Sequence, residues 1–171
     1  MTAVIEKCAF DEENERQLFM LELSTPEELP AHVDLHSPNF GCVLAWNACD
    51  TTTEEVAALV EPLIKAGCVY FSCWGPDCER VHDIIDECDP YTESVIMTTW
   101  HEKVPIEEAL WYFLNCTWPD DEFRDSFRAS IAITVGSREW AATARGAVND
   151  PKTFTQAVSD GETGHKLFAK P

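Results

Sequence analysis

Positive charge is what this chain lacks. It carries 12 Lys and Arg against 31 Asp and Glu, a formal net charge of −19. A field of that sign repels nucleic acid and anionic membrane and speeds encounter with cationic partners. Neither nucleic acid nor a membrane is therefore expected at its surface, and a basic protein is. The shortage is uneven: residues 1–123 hold 26 acids and 5 bases, residues 124–171 hold 5 acids and 7 bases. Three origins compete. One is plain solubility in an acidic proteome. Another is a surface shaped for a basic protein, as in an immunity protein or a nucleic-acid mimic. The third is a carboxylate-rich metal site.

Glycine is scarce as well, with 7 residues, and neither G-x-G-x-x-G nor G-x-x-x-x-G-K-[ST] occurs. The backbone cradles that hold dinucleotide and P-loop phosphates are thus missing. No apolar run approaches the roughly 18 residues of a membrane-spanning helix. The opening stretch, Met1 to Lys7, lacks the basic region and long apolar core of a secretion leader. A cytoplasmic chain is expected, and its eight cysteines (8, 42, 49, 68, 73, 78, 88 and 116) are then reduced thiols rather than a disulfide framework. On core-facing positions such thiols act as small hydrophobes.

What is present is an alternation of strands and helices. Residues 1–39 read as a strand/loop segment: an acidic turn at Asp11–Glu15, a strand at Gln17–Leu23 that would also suit a helix, then a loop broken by Pro26, Pro30 and Pro38. From Phe40 to Trp46 a continuous apolar run suits a strand buried on both faces. Thr52 and Glu55 make a capping box for the next helix, whose inner stripe is Val56, Leu59, Val60, Leu63 and Ile64 and whose end is Gly67. Pro62 should kink or shorten it. A second strand spans Cys68–Cys73, and a helix with Cys78, Val81, Ile84, Ile85 and Cys88 at helical spacing stops at Asp89-Pro90. A third strand is expected over Ser94–Thr99, then a helix opened by Pro105, a loop at Trp118–Phe123, and a fourth strand over Ser130–Val135. Two short helices, around 137–147 and 152–159, precede a tail expected to fray.

The order β-α-β-α-β-α-β implies a mostly parallel sheet with right-handed crossovers between two helical layers. It resembles a flavodoxin- or Rossmann-type three-layer sandwich over about residues 40–135. Without a specific motif that likeness implies fold alone. One domain over 1–171 is expected, with residues 136–171 as a helical C-terminal appendage.

Three strands end in tryptophan followed by polar residues: Trp46-Asn47-Ala-Cys49-Asp50, Trp74-Gly75-Pro76-Asp77 and Trp100-His101-Glu102. In parallel sheets such ends share the edge where sites form. The binding residues expected there are Trp46, Asn47, Asp50, Trp74, Asp77, Trp100 and His101. Four chemistries fit the edge. A tryptophan patch rimmed by acids is the composition of a protein interface. Asp50, Asp77 and Glu102 would suit a divalent metal, Mg or Mn, for phosphotransfer or hydrolysis. Cys73 with His101 would suit thiol catalysis. Cys73, Cys78, His82 and Cys88 spell C-x4-C-x3-H-x5-C, a loose zinc spacing. A phosphatase loop is excluded, because Arg80 stands too far from Cys73 and Asp77 and Glu79 would repel phosphate. No cofactor is expected on the leading reading, which is a small acidic binding protein for a basic partner.

Overall fold

A computed structural model describes residues 3–161. The chain runs β1 (Glu6–Asp11), β2 (Arg16–Leu23), β3 (Asn39–Trp46), α1 (Thr53–Lys65), β4 (Cys68–Trp74), α2 (Cys78–Cys88), β5 (Met97–His101), α3 (Ile106–Asn115), β6 (Phe127–Val135), α4 (Arg138–Asn149) and α5 (Pro151–Ser159). Six strands form one sheet in the order β1-β2-β6-β3-β4-β5. All neighbours are parallel except the β1–β2 hairpin.

Two helical layers cover the sheet, giving the three-layer sandwich. On the first face Phe19, Leu21, Cys42, Leu44, Phe71, Ile131 and Ile133 pack beneath Val56, Leu59, Leu63 of α1 and Val81, Ile85 of α2. On the second face Leu18, Met20, Val43, Ala45 and Ala132 pack beneath Leu110, Phe113 of α3 and Ala141, Ala144, Ala147 of α4. Burial on both sides is why β3, β4 and β6 are near-continuous apolar runs. α1 begins at the expected capping box: Glu55 donates its N–H to Thr52, and Thr52 donates its own to the Glu55 carboxylate. It continues through Pro62, which stands in its last turn. There the missing N–H removes one bond without a following turn to break.

The N-terminal segment supplies the strand expected over Gln17–Leu23, as β2, and adds β1 before it. β2 pairs in parallel with β6 from Gln17 to Leu23. β6 also begins earlier than expected, at Phe127, and the loop before it holds a 3-10 turn over Asp121–Ser126. At the other end α4 and α5 belong to the second layer, where α5 packs on α3, α4 and β1. The tail expected to fray lies, over residues 162–171, outside the described residues. Among the described residues no helix is long and apolar enough to cross a membrane.

Candidate interaction surface at the open sheet edge

β3, β4 and β5 are neighbours, so Trp46, Trp74 and Trp100 do end adjacent strands. Their indoles part company, and the single tryptophan-lined edge expected from the sequence does not form. Register is the reason. Ala45 stands opposite Trp74, and Cys73 opposite Trp100, so Trp74 is one residue out of phase with both others. Side chains alternate along a strand. Trp46 points into the first face and is 5% exposed. Trp74 points into the second face, where its Nε1–H donates to the Val104 carbonyl at 2.8 Å and its ring meets Trp140 edge-on at 5.0 Å. Trp100 returns to the first face, 44% exposed, with its ring 4.5 Å from that of His82 on α2.

The polar residues at these ends also serve local structure. Asn47 is exposed and accepts the Cys49 N–H at 3.2 Å. Asp77, in the left-handed region at φ 66°, accepts from Arg80 Nε at 2.6 Å. The same guanidinium donates to the Ala48 and Thr51 carbonyls at 2.6 and 2.8 Å. Arg80 thereby clamps the β3–α1 loop to the start of α2. Gly75 makes that approach feasible: its φ is +116°, and a Cβ there would lie 2.3 Å from the Trp46 carbonyl oxygen. Asp50 and Glu102 are exposed. Among the described residues no group of three or more His, Cys, Asp and Glu side chains could hold a metal ion. Asp50, Asp77 and Glu102 do not converge, and neither do Cys73, Cys78, His82 and Cys88.

The thiol pair is separated by the same alternation. Cys73 lies in the first-face core. His101, opposite Trp74, points to the second face, where its ring stands 4.6 Å from Tyr112 and its Nε2 is 3.3 Å from Thr99 Oγ1. Burial pushes the Cys73 thiol well above its ordinary pKa, away from the thiolate that nucleophilic attack needs. Cys78 and Cys88 are raised by burial too.

The edge strand itself stands out. Among the described residues β5 has one neighbour, β4, and they pair residue for residue from Tyr70–Met97 to Trp74–His101. Exposed strand edges are normally protected by charges or bulges. The opposite edge follows that rule: β1 carries Glu6, Lys7 and Asp11, and its register shifts between Lys7 and Phe10. β5 reads Met-Thr-Thr-Trp-His, with no Lys, Asp, Glu or Pro and no register shift. Tyr91, Val95, Met97 and Trp100 are all large and exposed along it. The first-face flank is acidic. Glu79, His82, Asp83 and Asp86 share one stripe of α2; Asp86 accepts from Thr98 Oγ1 at 2.7 Å, and Asp83 lies 3.0 Å from His82 Nδ1. Tyr91, Val95 and Met97 belong to this surface; Val95-Ile96-Met97 read from the sequence as part of the third strand, with no sign of which side chains would face outward.

A family model for a domain of unknown function, DUF7684, matches residues 18–149. The chain belongs to that family. No curated protein and no solved structure matches it. The matched span runs from β2 to the end of α4 and contains α2 and β5 whole.

At the opposite end of the sheet lies a cleft of about 700 Å³, lined by Phe10, Asp11, Asn14, Asn115, Asp150 and Lys152 among others. Most of its wall comes from β1, the hairpin turn and α5, outside the family span. Two of its carboxylates are engaged locally. Asp11 accepts from Glu13 N–H and from the Asn14 side chain, and Asp150 accepts the Thr153 N–H. Behind it Arg16 is 4% exposed, held by one bond to Thr117 Oγ1 at 3.0 Å and stacked on Phe127. Burial pushes its pKa down to about 10. Arg16 props this end of the sheet, and an arginine opening a strand gave no sequence signal for that.

Proposed function

We propose that this protein binds a basic protein partner through the β5 edge, as an immunity protein or an inhibitor of a nucleic-acid-acting protein would, in the cytoplasm. One observation carries the reading: an unprotected strand edge bearing exposed Trp100 and Met97 lies beside a run of uncompensated acid. Residues 79–103 hold Glu79, Asp83, Asp86, Glu87, Asp89, Glu93 and Glu102 against Arg80 and Lys103, and Arg80 is taken up by Asp77 and two loop carbonyls. Apolar anchors set in a charged rim are how protein interfaces concentrate affinity and specificity. The location inside the family span also supports this edge over the acidic cleft near β1. The strand-end residues, turned to different faces, lend no support to a metal or thiol reaction.

The test is affinity capture from native lysate at low and moderate salt, with three variants beside the wild type. Glu79→Lys/Asp83→Lys/Glu87→Lys and Trp100→Ala should each lose a stoichiometric basic protein that wild type releases as salt rises. Glu12→Lys/Glu13→Lys, at the far end of the molecule, should retain it. Equal loss from all three variants, or capture indifferent to salt, would overturn the reading.

A further inference from the structure

Resting on that reading, we propose how the partner docks: an extended basic segment adds to the free edge of β5 and continues the sheet as its next strand. Strand addition needs an open edge with an undistorted register, and β5 supplies both. Its five residues pair with β4 without a shift and offer about 17 Å of edge. The contrast with β1, which is charged and bulged, shows what a protected edge looks like in this same sheet.

The two sides of β5 differ in a way that specifies the incoming strand. On the first face Thr98 donates to Asp86 and Trp100 packs on His82, whose ring nitrogens lie beside Asp83 and Asp86 of α2. On the second face Met97 stands opposite Tyr70, and His101 against Tyr112. Tyr91 packs on Phe123, which clusters with Tyr70 on that side. Residues of an added strand alternate between these faces. Every second residue would therefore be Lys or Arg, set among the α2 carboxylates. The residues between would be apolar, extending the Met97 and Tyr91 surface. Main-chain bonds would give such a strand affinity, and the alternating side chains specificity. A second copy of this chain is the poorer occupant: it would bring the same acids of 79–102 against themselves, in a molecule of net charge −19.

The probe is an alternating Lys/Val peptide of about seven residues, a length typical of strands, used at concentrations where the peptide alone is monomeric. Three controls accompany it: the same composition in two blocks, an alternating Glu/Val peptide, and the alternating Lys/Val peptide N-methylated at every second amide. Binding is followed through tryptophan emission at low salt and backbone hydrogen exchange across 97–101. The alternating Lys/Val peptide should slow exchange in β5. The block and N-methylated peptides should bind about tenfold more weakly, the loss expected when an interface's main anchor contacts fail. The Glu/Val peptide should not bind. Met97→Lys, at an exposed position, should weaken the alternating peptide similarly while leaving the melting curve unchanged. Equal binding of alternating and block peptides without β5 protection overturns strand addition and leaves the basic-partner reading standing. Failure of both basic peptides, with capture of the basic protein intact, does the same. Failure of the peptides and of the capture overturns both. Self-association lost in Met97→Lys and competed by the peptide would assign the edge to a second copy instead.

Discussion

Two residues show how small constraints shape the sheet's end. Gly75 holds φ +116° with the Trp46 carbonyl where its Cβ would be. Gly75→Ala is expected to destabilise by about 1–3 kcal/mol from the backbone conformation alone. The clash adds to this, because the opposing atom is backbone and cannot swing away. Urea denaturation checks it, and a loss below about 0.5 kcal/mol would refute the packing described, since surface substitutions fall in that range. His101 gives a pH signature. Burial holds its pKa below the ordinary value, which is about 6.5 in the unfolded chain. The unfolded state then binds the proton more readily, so stability present above about pH 6.5 is lost as pH falls through the lower folded value. His101→Phe should keep the ring contact with Tyr112 and lack this loss. Melting temperatures of the two proteins, measured downward from neutral pH, should converge or cross. Parallel curves would mean that the imidazole is not the titrating group. That His101 and Cys73 face apart could not be read from sequence, because phase between strands depends on register, which neither strand states alone.

At the scale of elements, most of the chain from β2 to α5 was legible: β2, expected over Gln17–Leu23, and α4 and α5, expected around 137–147 and 152–159, stand close to those bounds. β3, β4 and β6 are buried on both sides and their apolar content is unambiguous, as are the capping box of α1 and the stripes of α1 to α3. β1 left no such trace, because Glu6–Asp11 is an edge strand with one buried residue and no alternation. β5 was misplaced by a few residues for a visible cause. Val95-Ile96 looks like strand, yet the Ile96 N–H donates to the Asp89 carboxylate at 2.8 Å. That bond ties the chain to the end of α2, and it joins the sheet only at Met97. The hairpin's anchor was equally hidden: Arg145 on α4 donates to Glu6 and Glu22, each at 2.9 Å, across more than 120 residues. Its guanidinium hydrogen bond is the main cause of the lowered Glu6 pKa. All three side chains are a third or more exposed, which limits their worth. Arg145→Ala should cost about 0.5–1 kcal/mol, and β1 amides should exchange faster while β3 amides are unchanged. Uniform acceleration would show that β1 is not held locally.

Over the whole molecule the uneven charge in the sequence becomes uneven charge in space. Bases of the second part neutralise acids of the first on one side: Arg145 with Glu6 and Glu22, Arg128 with Glu15. Among the described residues the α2–β5 side receives no such compensation, and its acids repel one another. Folding crowds them along one stripe of α2 and the neighbouring edge, so self-repulsion should be larger in the folded chain than in the unfolded one. Salt should relieve it. Raising NaCl from about 0.01 M to about 0.15 M shortens the screening length from about 30 Å to about 8 Å, and the melting temperature should rise over that interval. The Glu79→Lys/Asp83→Lys/Glu87→Lys protein should melt higher than wild type at the lower salt and rise less with added salt, because its repulsion is already reduced. If the wild-type melting temperature stayed flat, the α2 acids would have to be neutralised within the fold, and the unbalanced field that draws a cationic strand to β5 would not exist.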